Sequence, residues 1–302
     1  MESIQLALDW TPNVNHIGFF VAKQKGFYSE KNLKVSLISP AEDDYALTPA
    51  KKVALGKADF ALCPMESILS YQTKENPFDL KAVAAIYQDD LSAIVSLKEA
   101  GITSPKDLDG KSYASYQAKY EDEIVKQMIV NDGGKGNIDI YYPSKLGIWE
   151  TIIKRNHDST WIFLNWEGVQ ARGKQIELSA FKMRDFEVPY SYSPVLAASQ
   201  EQVKGRAKTY KKFLEATKKG FLFVVKNKAE AEKILSPWVS ESDADIDIKA
   251  AIDLSSPSFG DHSNWGKIDP GNVKIYLDWI YDKGLEKVKV TVDDLISTTL
   301  MD

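Results

Sequence analysis

The chain has 302 residues, of which 44% are hydrophobic and 27% are charged, and its formal net charge is −5 at pH 7. These values are typical of a globular protein of about two domains, and no basic stripe indicates nucleic-acid binding. A single cysteine excludes an internal disulfide and a multi-cysteine metal site, and the three histidines are too scattered to indicate a metal centre. No apolar run approaches the roughly 18–20 residues of a membrane span.

The N-terminal stretch predicts a strand that leads through a loop into a helix. Apolar residues alternate along the strand and the turn cluster 9–13 follows. Because Pro12 disfavours helical geometry in the residue before it, we expect the helix to span 16–24, with Asn13 as its N-cap. Trp10 then lies at the carboxyl end of the strand, the edge at which open α/β sheets bind ligands.

Strand and helix signals alternate along most of the remaining chain. The predicted strands are 4–8, 33–38, 60–63, 80–87, 91–97, 111–115, 138–142, 159–164, 176–181 and 195–198. The main predicted helices are 16–24, 49–55, 121–131, 144–154, 206–226, 229–238, 245–254, 271–282 and 292–300, with shorter ones after 64 and 166.

This order predicts two α/β lobes, which the chain joins by crossings near 88–92 and 190–194. We assign residues 1–90 and 193–302 to lobe 1, to which the C-terminal helices return, and residues 91–192 to lobe 2. Two such lobes face each other across a cleft that suits a small ligand and can close about a hinge.

Several segments resemble the NMT1/THI5-like family, from residue 4 to about 290. They are 9–13 with His16, 21–23, 26–28, 56–60, 161–168 and 192–196. The resemblance implies a periplasmic-binding-protein type 2 fold, with two doubly wound α/β lobes and a ligand cleft between them. The family includes bacterial proteins that bind the thiamine precursor formylaminopyrimidine, and fungal hydroxymethylpyrimidine phosphate synthases.

The resemblance therefore implies a small heteroaromatic ligand, in the first place a thiamine pyrimidine precursor of the formylaminopyrimidine or hydroxymethylpyrimidine type. We expect its ring to be held where Trp10 meets Trp166 as the lobes shut, and Glu66 to accept a hydrogen bond from its exocyclic amine. The candidate ligand-binding residues are Trp10, Asn13, Glu66, Tyr116, Trp166, Glu167, Tyr190 and Tyr192. Each also has a structural interpretation: the aromatic rings can pack the core or hinge, and Asn13 and the glutamates can serve helix N-termini.

The sequence departs from the synthases at the residues that carry their chemistry. Their pyridoxal phosphate lysine and pyrimidine-donating histidine fall at about Cys63 and Ser67, which supply neither an amine for a Schiff base nor an imidazole. Their iron-binding cysteine cluster is excluded, and their glycine-rich phosphate loop corresponds to about 115–118, which has no glycine. We therefore expect ligand binding with no catalytic residue, cofactor or metal.

Two alternatives remain open. One is a thiamine-pyrimidine enzyme that uses pyridoxal phosphate through Lys119 or Lys145, and the other is a different flat ligand, such as an aromatic sulfonate or a pyridoxal compound. The sequence as written shows no signal peptide, which predicts a cytoplasmic protein. If a leader has been removed, we expect a periplasmic or surface-anchored protein with an ABC transporter permease as partner; we expect neither nucleic-acid binding nor membrane insertion.

Overall fold

The computed structural model describes residues 1–143, 147–190 and 192–301, and its strands form two five-stranded sheets. The strands are β1 (Glu2–Ala7), β2 (Leu33–Ile38), β3 (Phe60–Cys63), β4 (Leu80–Ala85), β5 (Ser92–Leu97), β6 (Ser112–Ala114), β7 (Asp139–Tyr141), β8 (Ser159–Phe163), β9 (Leu178–Phe181) and β10 (Val195–Ser199). The helices are α1 (Ile17–Gln24), α2 (Phe27–Glu30), α3 (Pro49–Ala54), α4 (Met65–Thr73), α5 (Glu121–Asn131), α6 (Glu167–Gly173), α7 (Gln200–Gly205), α8 (Ala207–Lys226), α9 (Lys228–Leu235), α10 (Ile248–Ser255), α11 (Pro270–Asp282) and α12 (Val292–Leu295).

The two sheets have matching topologies, which confirms the predicted two-lobed α/β fold. The first has the order β2-β1-β3-β10-β4 and the second β7-β6-β8-β5-β9. In each sheet, the strand that directly follows a crossing, β10 or β5, runs antiparallel to both of its neighbours. The strands of the first sheet come from 2–85 and from 195–199, and those of the second come from 92–181. We therefore propose the lobe boundaries stated above.

Lobe 1 is built on a close contact between α1 and α8. A Cβ atom added at Gly220 would lie 2.1 Å from the carbonyl oxygen of Gly18, so the backbones touch where both residues lack a side chain. Beyond this contact, Phe213 of α8 stacks on Phe60 of β3, with ring centroids 4.6 Å apart. The C-terminal helix α8 is thereby fixed to the sheet that carries Trp10.

Three predicted helices differ from the observed ones. Residues 144–146 lie outside the described part of the chain, and the rest of the helix predicted over 144–154 is a single π-helical turn, Trp149–Ile153. The helix predicted over 292–300 stops at Leu295, because the next residue bridges to β4 and the Ser297 N–H donates to the Ala82 carbonyl, at 2.8 Å. The N-terminal helix begins at Ile17, one residue later than predicted, and Asn13 caps a short 3-10 turn that precedes α1 rather than α1 itself.

None of the helices in the described ranges combines the length and apolar character that a membrane crossing needs.

Candidate functional site

The strand ends of the two lobes meet across the cleft. Trp10 follows β1 and Glu66 follows β3 in lobe 1, while Tyr116 follows β6 and Glu167 follows β8 in lobe 2. An aromatic contact between the lobes joins Trp10 to Tyr116, with ring centroids 6.5 Å apart and the planes at 72°. The structure thus brings predicted site residues from both lobes to one place.

The ring neighbours of Trp10 differ from the expected ones. Besides Tyr116, its indole contacts Tyr45 at 5.7 Å between centroids, and Tyr45 is 49% exposed on the loop after β2. Trp166 is only 3% exposed and packs in the apolar core together with Val169 of α6. No ring contact joins Trp10 to Trp166 within the described ranges, so the expected pairing of the two indoles is replaced by the Trp10–Tyr116 contact. The Trp166 indole Nε1 is buried and has no partner there.

Asn13 holds the loop that carries Trp10. Its Oδ1 accepts from the Asn15 N–H at 2.8 Å, and its own N–H donates to His16 Nδ1 at 3.1 Å. Since Nδ1 is an acceptor, the proton of a neutral His16 lies on Nε2, which donates to Asp9 Oδ1 at 2.6 Å. The side-chain amide of Asn13 donates to a carbonyl of the same loop. These contacts make Asn13 a cap that fixes the loop.

A buried amide network ties the lobes together beside this loop. Asn165, which follows β8, places its Nδ2 within 2.9 Å of Asn15 Oδ1, 3.0 Å of the Tyr87 hydroxyl and 2.8 Å of Ser255 Oγ. The Tyr87 hydroxyl also donates to Asn15 Oδ1 at 2.7 Å. Sequence reasoning missed this network, although the position of Asn165 at a strand end was the signal that could have found it.

Glu66 carries a buried carboxyl, one oxygen of which has no hydrogen-bond partner among the described residues. It lies in the first turn of α4 and is 6% exposed, and its Oε2 has no hydrogen-bond partner among the described residues. Burial, and after it the nearby Glu121 carboxyl, raises the pKa of Glu66 to about 8. A buried polar atom that lacks a partner is costly, so this oxygen indicates a place where a ligand donor fits.

The second lobe contributes another carboxyl beside a tyrosine. Burial raises the pKa of Glu167 to about 7, although its Oε2 accepts from the Phe163 N–H at 3.1 Å. Burial also raises the pKa of the Tyr116 phenol, with the Glu167 and Glu121 carboxyls adding to the effect. The cleft therefore gathers carboxyl groups and aromatic rings, a combination that suits a flat ligand with hydrogen-bond donors.

The two tyrosines of the return crossing have different surroundings. The Tyr190 ring lies 5.0 Å from Trp161 and 6.0 Å from Tyr276, between centroids, and Glu66 is close enough to raise its pKa further after burial. The Tyr192 hydroxyl accepts from the Asp269 N–H at 2.9 Å, at the start of α11. Both rings also line a depression of about 300 Å³ at the hinge. Tyr190 thus adjoins the carboxyl of the cleft, while Tyr192 is held against α11.

The candidate residues that the structure describes do not fit the synthase cofactor. The thiol of Cys63 is buried, which raises its pKa, and it offers no amine. The Lys119 Nζ is engaged by Glu286 Oε2 at 2.5 Å and by Thr73 Oγ1 at 2.8 Å. Lys145, the other amine considered, lies outside the described residues. Among the residues that the structure describes, no group of histidine, cysteine and acidic side chains could hold a metal ion.

Comparisons with known proteins agree with this architecture. The chain is 24% identical over 236 residues to a formylaminopyrimidine-binding protein of Halalkalibacterium halodurans, covering 78% of this chain and 70% of that protein. It is also 24% identical over 245 residues to a 4-amino-5-hydroxymethyl-2-methylpyrimidine phosphate synthase of Legionella pneumophila, covering 77% of this chain and 72% of that protein. The solved structure of the alkanesulfonate-binding protein SsuA from Xanthomonas axonopodis pv. citri, bound to MOPS, matches with a TM-score of 0.73 at 14% identity over 99% of each chain.

The fold and the sequence lead to the same family. The similarity to SsuA confirms the periplasmic-binding-protein fold, in which two α/β lobes enclose a cleft. The sequence profile described as NMT1/THI5 like matches residues 13–231, which is well over half of the chain. The protein therefore belongs to the NMT1/THI5-like family.

Proposed function

We propose that this protein binds a thiamine pyrimidine precursor of the formylaminopyrimidine or hydroxymethylpyrimidine type in the interlobe cleft and performs no chemistry on it. The observation that carries the proposal is the buried Glu66 carboxyl, whose Oε2 has no partner in the described part of the chain. An aminopyrimidine presents an amine donor beside a ring-nitrogen acceptor. A protonated carboxyl matches this pair, since its carbonyl oxygen accepts from the amine and its hydroxyl donates to the ring nitrogen. If the ring nitrogen is protonated instead, a carboxylate accepts hydrogen bonds from the amine and from the ring N–H.

The aromatic lining supports a flat ligand. Trp10 and Tyr116 approach each other from opposite lobes with their planes at 72°, so a flat ring that enters beside them can stack on one ring and meet the other edge to face. Tyr190 adds a third ring near Glu66. The relative named as a formylaminopyrimidine-binding protein, which matches over most of the chain, supports the same ligand class.

The proposal is tested by calorimetric titration of the purified protein with hydroxymethylpyrimidine and with formylaminopyrimidine, followed in parallel by tryptophan fluorescence. We expect saturable binding of one ligand per chain, accompanied by quenching. Uracil, which lacks the exocyclic amine, is the matched control and should bind much more weakly. The absence of both heat and quenching with the two aminopyrimidines would refute the proposal.

The second candidate function is a pyrimidine-forming enzyme that uses pyridoxal phosphate, which the name of the Legionella relative favours. The engagement of Lys119 by Glu286 and Thr73 opposes it. Incubation with pyridoxal phosphate, followed by borohydride reduction and mass spectrometry, separates the two functions. A covalently labelled lysine in the cleft supports the enzyme, and an unmodified chain supports the binding protein.

The proposed partner follows from the compartment. If the chain acts outside the cytoplasm, we propose the permease of an ABC transporter as its partner, and if it acts in the cytoplasm we propose the small ligand alone. Locating the native protein by cell fractionation distinguishes these cases.

A further inference from the structure

The loop between β6 and α5 has the form of an anion-binding site. It leads directly into the N-terminus of α5, an eleven-residue helix that starts with Glu121. The N–H groups of Tyr116 and Ala118 converge, and between them Gln117 adopts a left-handed conformation with φ of 62°. Converging backbone amides at a helix N-terminus are a common way to bind phosphate and other anions.

This position is already filled by a side chain of the protein itself. The Tyr116 N–H donates to Glu121 Oε1 at 2.9 Å, and the Ala118 N–H donates to Glu121 Oε2 at 3.2 Å. A third donor, the Tyr113 hydroxyl, lies 2.6 Å from Oε1. The amide between these two, that of Gln117, donates to Ser115 Oγ at 3.0 Å. Glu121 is only 2% exposed, so its carboxyl replaces an external anion rather than lying beside one.

The surroundings add to the exclusion of anions. The Glu121 carboxyl lies close enough to Glu66 to raise the pKa of that carboxyl, and Glu121 and Glu167 both lie close enough to Tyr116 to raise the pKa of its phenol. Asp122, next in α5, accepts from Ser115 Oγ at 2.6 Å. The nearest lysine in the loop, Lys119, is paired with Glu286.

We propose that Glu121 acts as a built-in anion that makes the cleft select unphosphorylated, neutral or cationic aminopyrimidines and reject ligands that carry a phosphate or sulfonate. The inference rests on the proposed function, because it names the class of ligand that the same cleft takes. Glu121 is then a specificity-determining residue. An entering phosphate would have to displace the Glu121 carboxyl from three donors, in buried surroundings where charges interact strongly.

The test compares hydroxymethylpyrimidine with its phosphate ester by calorimetric titration at constant ionic strength. In the wild type we expect the ester to bind at least about 100-fold more weakly than the alcohol. In Glu121→Ala, which frees the amides of Tyr116 and Ala118, the ratio of the affinity for the alcohol to the affinity for the ester should fall about tenfold or more. Glu123→Ala removes an exposed acid from the same first helical turn and should leave the ratio unchanged.

The outcomes separate this inference from the proposed function. An ester that binds the wild type as tightly as the alcohol refutes the inference and leaves the proposed function standing. A ratio that is the same in wild type and in Glu121→Ala refutes the role of Glu121. If Glu121→Ala does not fold, Glu121→Gln, which keeps the shape and removes the charge, takes its place. The ratio of the affinity for the alcohol to the affinity for the ester must then be smaller in Glu121→Gln than in the wild type. Failure of both compounds and of formylaminopyrimidine to bind refutes the proposed function and this inference together.

Discussion

The substitution Glu66→Gln should make the unliganded protein more stable while it weakens ligand binding. The Glu66 Oε2 is buried and has no partner among the described residues, which is unfavourable for folding. The glutamine is nearly the same shape but has no charge to bury. Opposite effects on stability and on affinity would identify Glu66 as a binding residue rather than a structural one.

The pKa of Glu66 sets the size and the sign of the effect. The carboxyl titrates near 4.5 in an unfolded chain and near 8 in the folded protein. Between these values the folded state holds a proton that the unfolded state has lost, so the Glu66 contribution destabilises the fold increasingly as pH rises from about 4.5 to 8. At 1.36 kcal/mol per pKa unit, the penalty is about 3 kcal/mol at pH 7 and about 4 kcal/mol at pH 8. The unpaired amide N–H of the glutamine costs about 1–2 kcal/mol, which leaves a net gain of about 2–3 kcal/mol at pH 8.

Urea denaturation of the ligand-free protein at pH 5 and at pH 8 measures this effect. The difference in the free energy of unfolding between variant and wild type should grow by about 3 kcal/mol from the lower to the higher pH. The exposed Glu75 gives a matched control, since Glu75→Gln changes the same functional group and should show no such growth. In the same preparations, affinity for hydroxymethylpyrimidine should fall by at least about tenfold in Glu66→Gln. A variant that is less stable than the wild type at pH 8, or whose stability follows pH as the wild type does, would refute the reasoning.

Three further predictions concern the cleft wall, the lobe core and the lobe closure. Trp10→Phe should lower ligand affinity about tenfold and remove most of the ligand-induced fluorescence quenching, and unchanged quenching would contradict its contact with the ligand. Gly220→Ala should lower the free energy of unfolding by about 1–3 kcal/mol in urea, because its methyl group meets the backbone of α1, whereas Gly205→Ala, with open space around it, should not destabilise. Lys119→Met should lower affinity a few-fold and increase the radius of gyration in small-angle scattering, because the link to Glu286 across the cleft is lost, and an unchanged radius would contradict that link.

The fold could be predicted from the sequence because its signals are local. Alternating or fully apolar runs bounded by turn residues gave the strands, and the order of strands and helices indicated two lobes. The general rule that strand ends form ligand sites pointed to Trp10, while Glu66 was assigned through the family resemblance. Those residues lie within a few positions of a strand end, so no tertiary information was required.

The remainder of the site depends on how the two lobes meet, which the sequence does not encode locally. Asn165 and Asn15 are 150 positions apart, and the meeting of the lobes brings Asn165 Nδ2 to 2.9 Å from Asn15 Oδ1. The pairing of Trp10 with Tyr45 and Tyr116, rather than with Trp166, depends on which strand ends face each other. The sequence likewise gave no sign that a side chain of α5 fills the β6–α5 loop.

A crystal structure of the protein with hydroxymethylpyrimidine tests the central claim most directly. We predict that the ring lies against Trp10 and Tyr116, with its exocyclic amine about 3 Å from Glu66 Oε2, the oxygen that has no partner among the described residues. A pyrimidine bound elsewhere, for example in the hinge depression beside Tyr192, with that oxygen still unpaired, would contradict the account.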